Sequence, residues 1–175
     1  MTLAGKRIAV LAEDGYEDLE LWYPYYRLKE EEAEVVVAGH EKRTYASKHG
    51  YPVDAEVEAS SLRAEDYDAV VVPGGVAAPD QMRRHQEILE FVRGMHEAGK
   101  VVAAICHGGW VPVSAGIVKG RTMTSYWSIQ DDVVNAGGYW VDKETVVDGN
   151  LITARVPRDL PSFCRALIWS LSSTD

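Results

Sequence analysis

The chain has 175 residues, 46% of them hydrophobic and 26% charged, with a formal net charge of −9. That length suits one domain, taken as residues 1–175, and the composition supports a packed core, against disorder or a fibre. The negative balance argues against a nucleic-acid footprint, which needs a basic patch. The apolar run after Lys6-Arg7 stops at Glu13-Asp14, too short for a signal peptide, and no stretch approaches the roughly 18 apolar residues of a membrane span. A cytoplasmic protein with no membrane contact is expected.

In chain order, "KRIAVLAE" (6–13) reads as a short buried strand. "EDLELWYPYYRLKEEE" (17–32) reads as an amphipathic helix with its apolar stripe at 19, 22, 23, 26 and 28, and Pro24 predicts a kink or break. "AEVVVAG" (33–39) is a second buried strand. "RTYASKHGYPVDAEV" suggests two short strands turning at His49-Gly50. "DAVVVPGG" (68–75) is a third buried strand stopped by Pro-Gly-Gly. Residues 79–99 read as one long helix, with apolar positions 82, 88, 89, 92 and 95 and Gly99 as its stop. "KVVAAIC" (100–106) is a fourth buried strand, running into a short helix over 107–116. A short strand (121–126), a helix (128–137), a hairpin at Asp148-Gly149 (145–155) and a closing helix from about Pro157 complete the chain.

Strands that are apolar throughout and alternate with helices imply a mostly parallel sheet covered on both faces, a three-layer α/β/α sandwich. Sites in such sheets lie at the carboxyl ends of strands, near a topological switch point. Those ends are Glu13–Glu17, Pro73–Val76 and Cys106–Gly109.

At the last of these, "AICHGG" places Cys106 between Ala104 and Gly108 where a strand passes directly into a helix. Small flanking residues are what a nucleophile elbow requires. The following helix start would favour a thiolate, and the His107 N–H would face an oxyanion formed beside the sulfur. Gly74 and Gly75 could bring a second backbone donor. A buried structural thiol and a plain tight turn are the alternatives. Cys164, mid-helix among apolar residues, reads as core. The two cysteines do not have metal-ligand spacing and are too few for a disulfide scaffold, so free thiols in a reducing compartment are expected. No metal or other cofactor is expected.

The ordered set "GYEDLELWYPYYRL", "SKHGYPV", "VVVPGG", "AICHGG", "GRTMTSYWSIQDDVVNAGGYWVD" and "VVDGNLITARVPRDLP" resembles the PfpI family of intracellular proteases and deglycase-like proteins, across nearly the whole chain. The resemblance implies a flavodoxin-like fold of the class I glutamine amidotransferase type. It also implies Cys106 as nucleophile beside His107, Glu17 as the carboxyl against the sulfur, Gly75 as oxyanion donor, and Tyr126 near the pocket. Asp80 stands where some members place a glutamate that orients the histidine from a neighbouring subunit, and it is one methylene shorter. Gly109-Trp110 replaces the family's usual Pro-Gln, putting Trp110 on the pocket rim. A homodimer, or a hexamer built from dimers, is implied, and the aromatic first helix fits either an interface or core packing. Three activities follow: glyoxalase or deglycase chemistry on small reactive carbonyl compounds, peptide hydrolysis, or redox sensing and chaperoning without turnover. Glutamine amidotransfer is disfavoured, because it needs a histidine late in the chain and His107 is the last one.

Overall fold

The computed structural model describes residues 2–173. In chain order its elements are β1 (Arg7–Ala12), α1 (Asp18–Glu30), β2 (Glu34–Gly39), β3 (Thr44–Ala46), β4 (Pro52–Asp54), β5 (Val57–Glu58), β6 (Ala69–Val72), α2 (Ala77–Met82), α3 (Gln86–Glu97), β7 (Val101–Ile105), α4 (Trp110–Ala115), β8 (Thr122–Met123), α5 (Gln130–Asn135), β9 (Tyr139–Trp140), β10 (Thr145–Asp148), β11 (Leu151–Ala154) and α6 (Leu160–Ser172). Seven strands form the main sheet in the order β10-β11-β7-β6-β1-β2-β5. All its pairings are parallel except β10 with β11, the antiparallel hairpin expected at Asp148-Gly149.

The strand order follows from burial. β6, β7 and β1 beyond Arg7 are apolar, and every residue from Ile8 to Ala12, Ala69 to Val72 and Val101 to Ile105 is buried. Such strands are stable only at the centre of a sheet covered on both faces. From β1 the chain runs outward through β2 to β5, then returns to the other side of β1 as β6. The switch point therefore lies between β1 and β6, and their carboxyl ends open the crevice that holds the site.

Two helices differ from expectation. In α1 the buried residues are Glu20, Leu21, Pro24 and Leu28, whereas Leu19 and Tyr26 are 57% and 62% exposed. The aromatic residues cluster on the outside: Trp22 stacks on Tyr26 at 5.6 Å and meets Tyr25 and Tyr51 edge-on. Pro24 removes the hydrogen bond that the Glu20 carbonyl would accept, yet the helix runs through it unbroken. The expected single helix over 79–99 is two helices, α2 and α3, separated at Arg83–His85. The expected apolar positions are nonetheless all buried, because the turn keeps both segments against the same core.

Candidate active site

β7 ends at Ile105, and Cys106 follows with φ +60°, one of two non-glycine residues with positive φ among the described residues. An L residue adopts this conformation only at a cost, and such strain concentrates at functional positions. The turn from Cys106 to Gly109 leads into α4, which gives the strand-to-helix elbow.

The neighbouring strand end completes the geometry. Gly75 has φ +86°, and a Cβ there would stand 2.5 Å from the Gly15 carbonyl oxygen and 2.9 Å from the Glu17 nitrogen. Only glycine fits. The backbone N–H groups of Gly75 and His107 both donate to the Cys106 sulfur. Both backbone donors expected at this site therefore lie at the sulfur. Gly74 serves a different group, because its N–H donates to Glu20 Oε2 at 2.8 Å.

The carboxyl against the sulfur is that of Glu20, one helical turn beyond Glu17. Glu20 is fully buried and couples directly to the Cys106 thiol. Its Oε1 is buried without a nitrogen or oxygen partner among the described residues. Burial, then the nearby charge of Glu17, pushes the Glu20 carboxyl up to about 8. At neutral pH it therefore holds a proton and can donate a hydrogen bond. Glu17 stands at the start of α1, lines the pocket and forms an ion pair with Lys48. The two glutamates are three residues apart on one helix face, so the expected function of Glu17 passes to its neighbour.

The thiol differs from expectation as well. Burial, and after it the charge of Glu20, pushes Cys106 up to about 12, against the two N–H donors that favour the thiolate. The contribution from Glu20 exists only when its carboxyl is ionised. While Glu20 holds its proton, the same group becomes a donor to the sulfur. The two groups titrate as a pair.

His107 lies beside the sulfur, with Nδ1 3.4 Å from Cys106 Sγ. Its Nε2 is 3.1 Å from Ser128 Oγ. In the tautomer whose Nε2–H donates to Ser128, Nδ1 presents its lone pair to the thiol. Burial lowers the pKa of His107 below the usual histidine value, so the ring is neutral at pH 7. Tyr126 stacks on it at 4.7 Å and lines the pocket. Sequence reasoning missed Ser128; its position in the 3₁₀ turn beside Tyr126 leaves no local sequence signal.

Asp80 is an exposed residue of α2, outside the residues that line the pocket of this chain, where His107 Nε2 meets Ser128. Trp110 also lies off the pocket lining. It meets His107 edge-on at 5.2 Å and donates from Nε1 to Asp132 at 2.8 Å. The pocket itself has a volume of about 610 Å³ and is lined by Glu17, Glu20, Lys48, Cys106, His107, Tyr126, Val156 and Pro157 among others. No helix among the described residues is long and apolar enough to cross a membrane.

Residues 6–170 match the model of the DJ-1/PfpI family. A protein named as a deglycase, PfpI, from Pyrococcus furiosus is 44% identical over 93% of this chain and 97% of its own length. A Bacillus subtilis protein with a cysteine-protease name is 38% identical over 91% and 95%. Among solved structures, the DJ-1/ThiJ/PfpI-like portion of a two-domain protein from Anabaena variabilis superposes with a TM-score of 0.93 at 40% identity, covering 95% of this chain and 48% of that one. Drosophila melanogaster DJ-1beta gives 0.88 at 28% identity, with 98% and 91% coverage.

Proposed function

Because the chain belongs to the DJ-1/PfpI family and carries its cysteine on a strained elbow, we propose that Cys106 is the nucleophile of an enzyme acting on small reactive carbonyl compounds. Substrates are glyoxal-like aldehydes or their adducts with amines and thiols. The observation that carries this reading is the convergence of the Gly75 and His107 N–H groups, the Glu20 carboxyl and His107 Nδ1 on one sulfur.

The first step needs nothing beyond these groups. The Cys106 thiol gives its proton to His107 Nδ1 as the sulfur bonds to the aldehyde carbon. The carbonyl π electrons move to oxygen, and the Gly75 and His107 N–H groups are placed to hold the resulting oxyanion. The imidazolium returns its proton to that oxygen, giving a neutral hemithioacetal. Protonated Glu20 stabilises the sulfur by donating to it before attack. For methylglyoxal the overall change is addition of one water to give lactate. One carbon is oxidised and its neighbour reduced, so no external oxidant or reductant is needed.

Methylglyoxal consumption by wild type and Cys106→Ser, followed with product analysis, tests the reading. Full turnover by the serine variant would rule it out. Peptide hydrolysis is the second reading, favoured by the name of the Bacillus subtilis relative. Casein zymography with wild type and Cys106→Ala protein separates the two: clearing by wild type alone supports a peptidase. A homodimer is supported by the exposed Leu19, Tyr23 and Tyr26 on α1, and light scattering after gel filtration measures it. Two free cysteines support a reducing, cytoplasmic compartment.

A further inference from the structure

A second cluster of chemically active side chains lies on the same edge of the sheet, on the far side of β1 from Cys106. His40 follows the end of β2. His85 stands immediately before α3, and Glu87 lies in its first turn. The rings of His40 and His85 stack with centroids 3.6 Å apart and planes inclined by 13°. His40 Nδ1 also contacts Glu87 Oε1 directly. One ligand-type atom from each of the three residues falls within 4.8 Å of the other two. Behind them is Glu13, whose side chain is 2% exposed; its Oε2 is 3.9 Å from His85 Nε2 and its Oε1 is 3.3 Å from Arg43 Nη2.

We propose that His40, His85 and Glu87 form a binding site for a divalent transition-metal ion of the zinc class. Two imidazoles and one carboxylate are the donor set that borderline cations of this kind select over magnesium or calcium, which take oxygen ligands. A cation about 2.0–2.2 Å from each ligand atom brings those atoms to about 3–3.5 Å from one another. The side chains close that gap by rotation, and their 25–36% exposure leaves both the room to move and an open face for water ligands. The backbone supporting them is fixed by β2 on one side and the start of α3 on the other. Glu13 supplies the carboxylate behind a metal-bound histidine that commonly orients such rings. His85 and Glu87 are two residues apart at the start of α3, whereas His40 is 45 residues before His85, so the fold, which sets the end of β2 beside the start of α3, completes the set.

The test uses the full chain, stripped with chelator, carrying Cys106→Ser so that the thiol cannot compete for metal. Calorimetric titration with zinc chloride is expected to give one equivalent bound at micromolar Kd or tighter. His40→Gln and His85→Gln should each weaken binding at least tenfold, with Glu87→Gln less affected. Imidazole ¹⁵N spectra of the chelator-stripped Cys106→Ser protein should show both His40 and His85 shifting on zinc addition. That readout needs no variant of the site and holds even if a ligand variant folds poorly. Undiminished stoichiometric binding in the folded His40→Gln/His85→Gln protein, or saturation only in the millimolar range, would overturn the assignment.

Discussion

The chain carries two free cysteines, and burial pushes both thiols up to about 12. By burial and proton affinity alone they are nearly the same residue. Cys164 sits mid-way along α6 among apolar neighbours, with the charge of Arg27 the one influence opposing burial. Cys106 has a backbone bent to φ +60°, a carboxyl and an imidazole at its sulfur, two N–H donors and an open pocket. The difference teaches that two thiols alike in burial and proton affinity are set apart by what surrounds the sulfur. Its helix-start position does not by itself produce a low pKa, because the elbow is buried and has an acid beside it.

Substitutions at the two thiols should separate most widely. Cys106→Ala is expected to lower kcat/KM for methylglyoxal by at least about 1,000-fold. Cys164→Ala should leave it within about twofold while costing about 1–2 kcal/mol of stability, read by chemical denaturation. Gly75→Ala meets backbone on two sides at a φ that disfavours a side chain, and activity should fall by about 100-fold as one oxyanion donor is displaced.

Glu20 sharpens the contrast through pH. With its carboxyl raised to about 8, wild-type activity should decline as pH rises through that value, because the donor becomes a second negative charge beside the sulfur. On the acid side activity should fall as His107 protonates below the usual histidine range. Glu20→Gln keeps a donor and should lose the alkaline limb at the cost of about tenfold in rate. The same group bears on stability. A carboxyl whose folded pKa exceeds its unfolded value of about 4.5 makes its contribution fully below that value and loses it as pH rises through about 8. Wild type should therefore lose on the order of 2–4 kcal/mol relative to Glu20→Gln between pH 5 and 9. The smallest effect belongs to Asp80→Asn, expected within about twofold of wild type, since Asp80 lies outside the pocket lining of its own chain; a larger loss would point to the carboxyl acting across a subunit contact.

Much of this was legible in the residues. Continuous apolar runs place β1, β6 and β7 at the centre of the sheet, and the small residues around Cys106 and the Pro-Gly-Gly turn mark the two strand ends that meet. Glu20 was hidden by the phase of α1. Reading the aromatic residues as the buried stripe puts Glu20 on the solvent face, whereas the true stripe of Leu21, Pro24 and Leu28 puts it inside. A carboxylate in line with buried positions was the available signal, and exposed aromatics obscured it. Ser128, the break between α2 and α3, and the His40–His85–Glu87 cluster depend on contacts between distant segments that no local pattern encodes.

The most direct test of Cys106 as the activated nucleophile is alkylation of the native protein at neutral pH by substoichiometric iodoacetamide. Labelling of each cysteine is read by peptide mass spectrometry and compared with residual methylglyoxal turnover. Cys106 should be modified at least about 100-fold faster than Cys164, with turnover lost in proportion to its labelling. Equal labelling of the two thiols, or turnover that persists once Cys106 is fully alkylated, would contradict its assignment as the nucleophile.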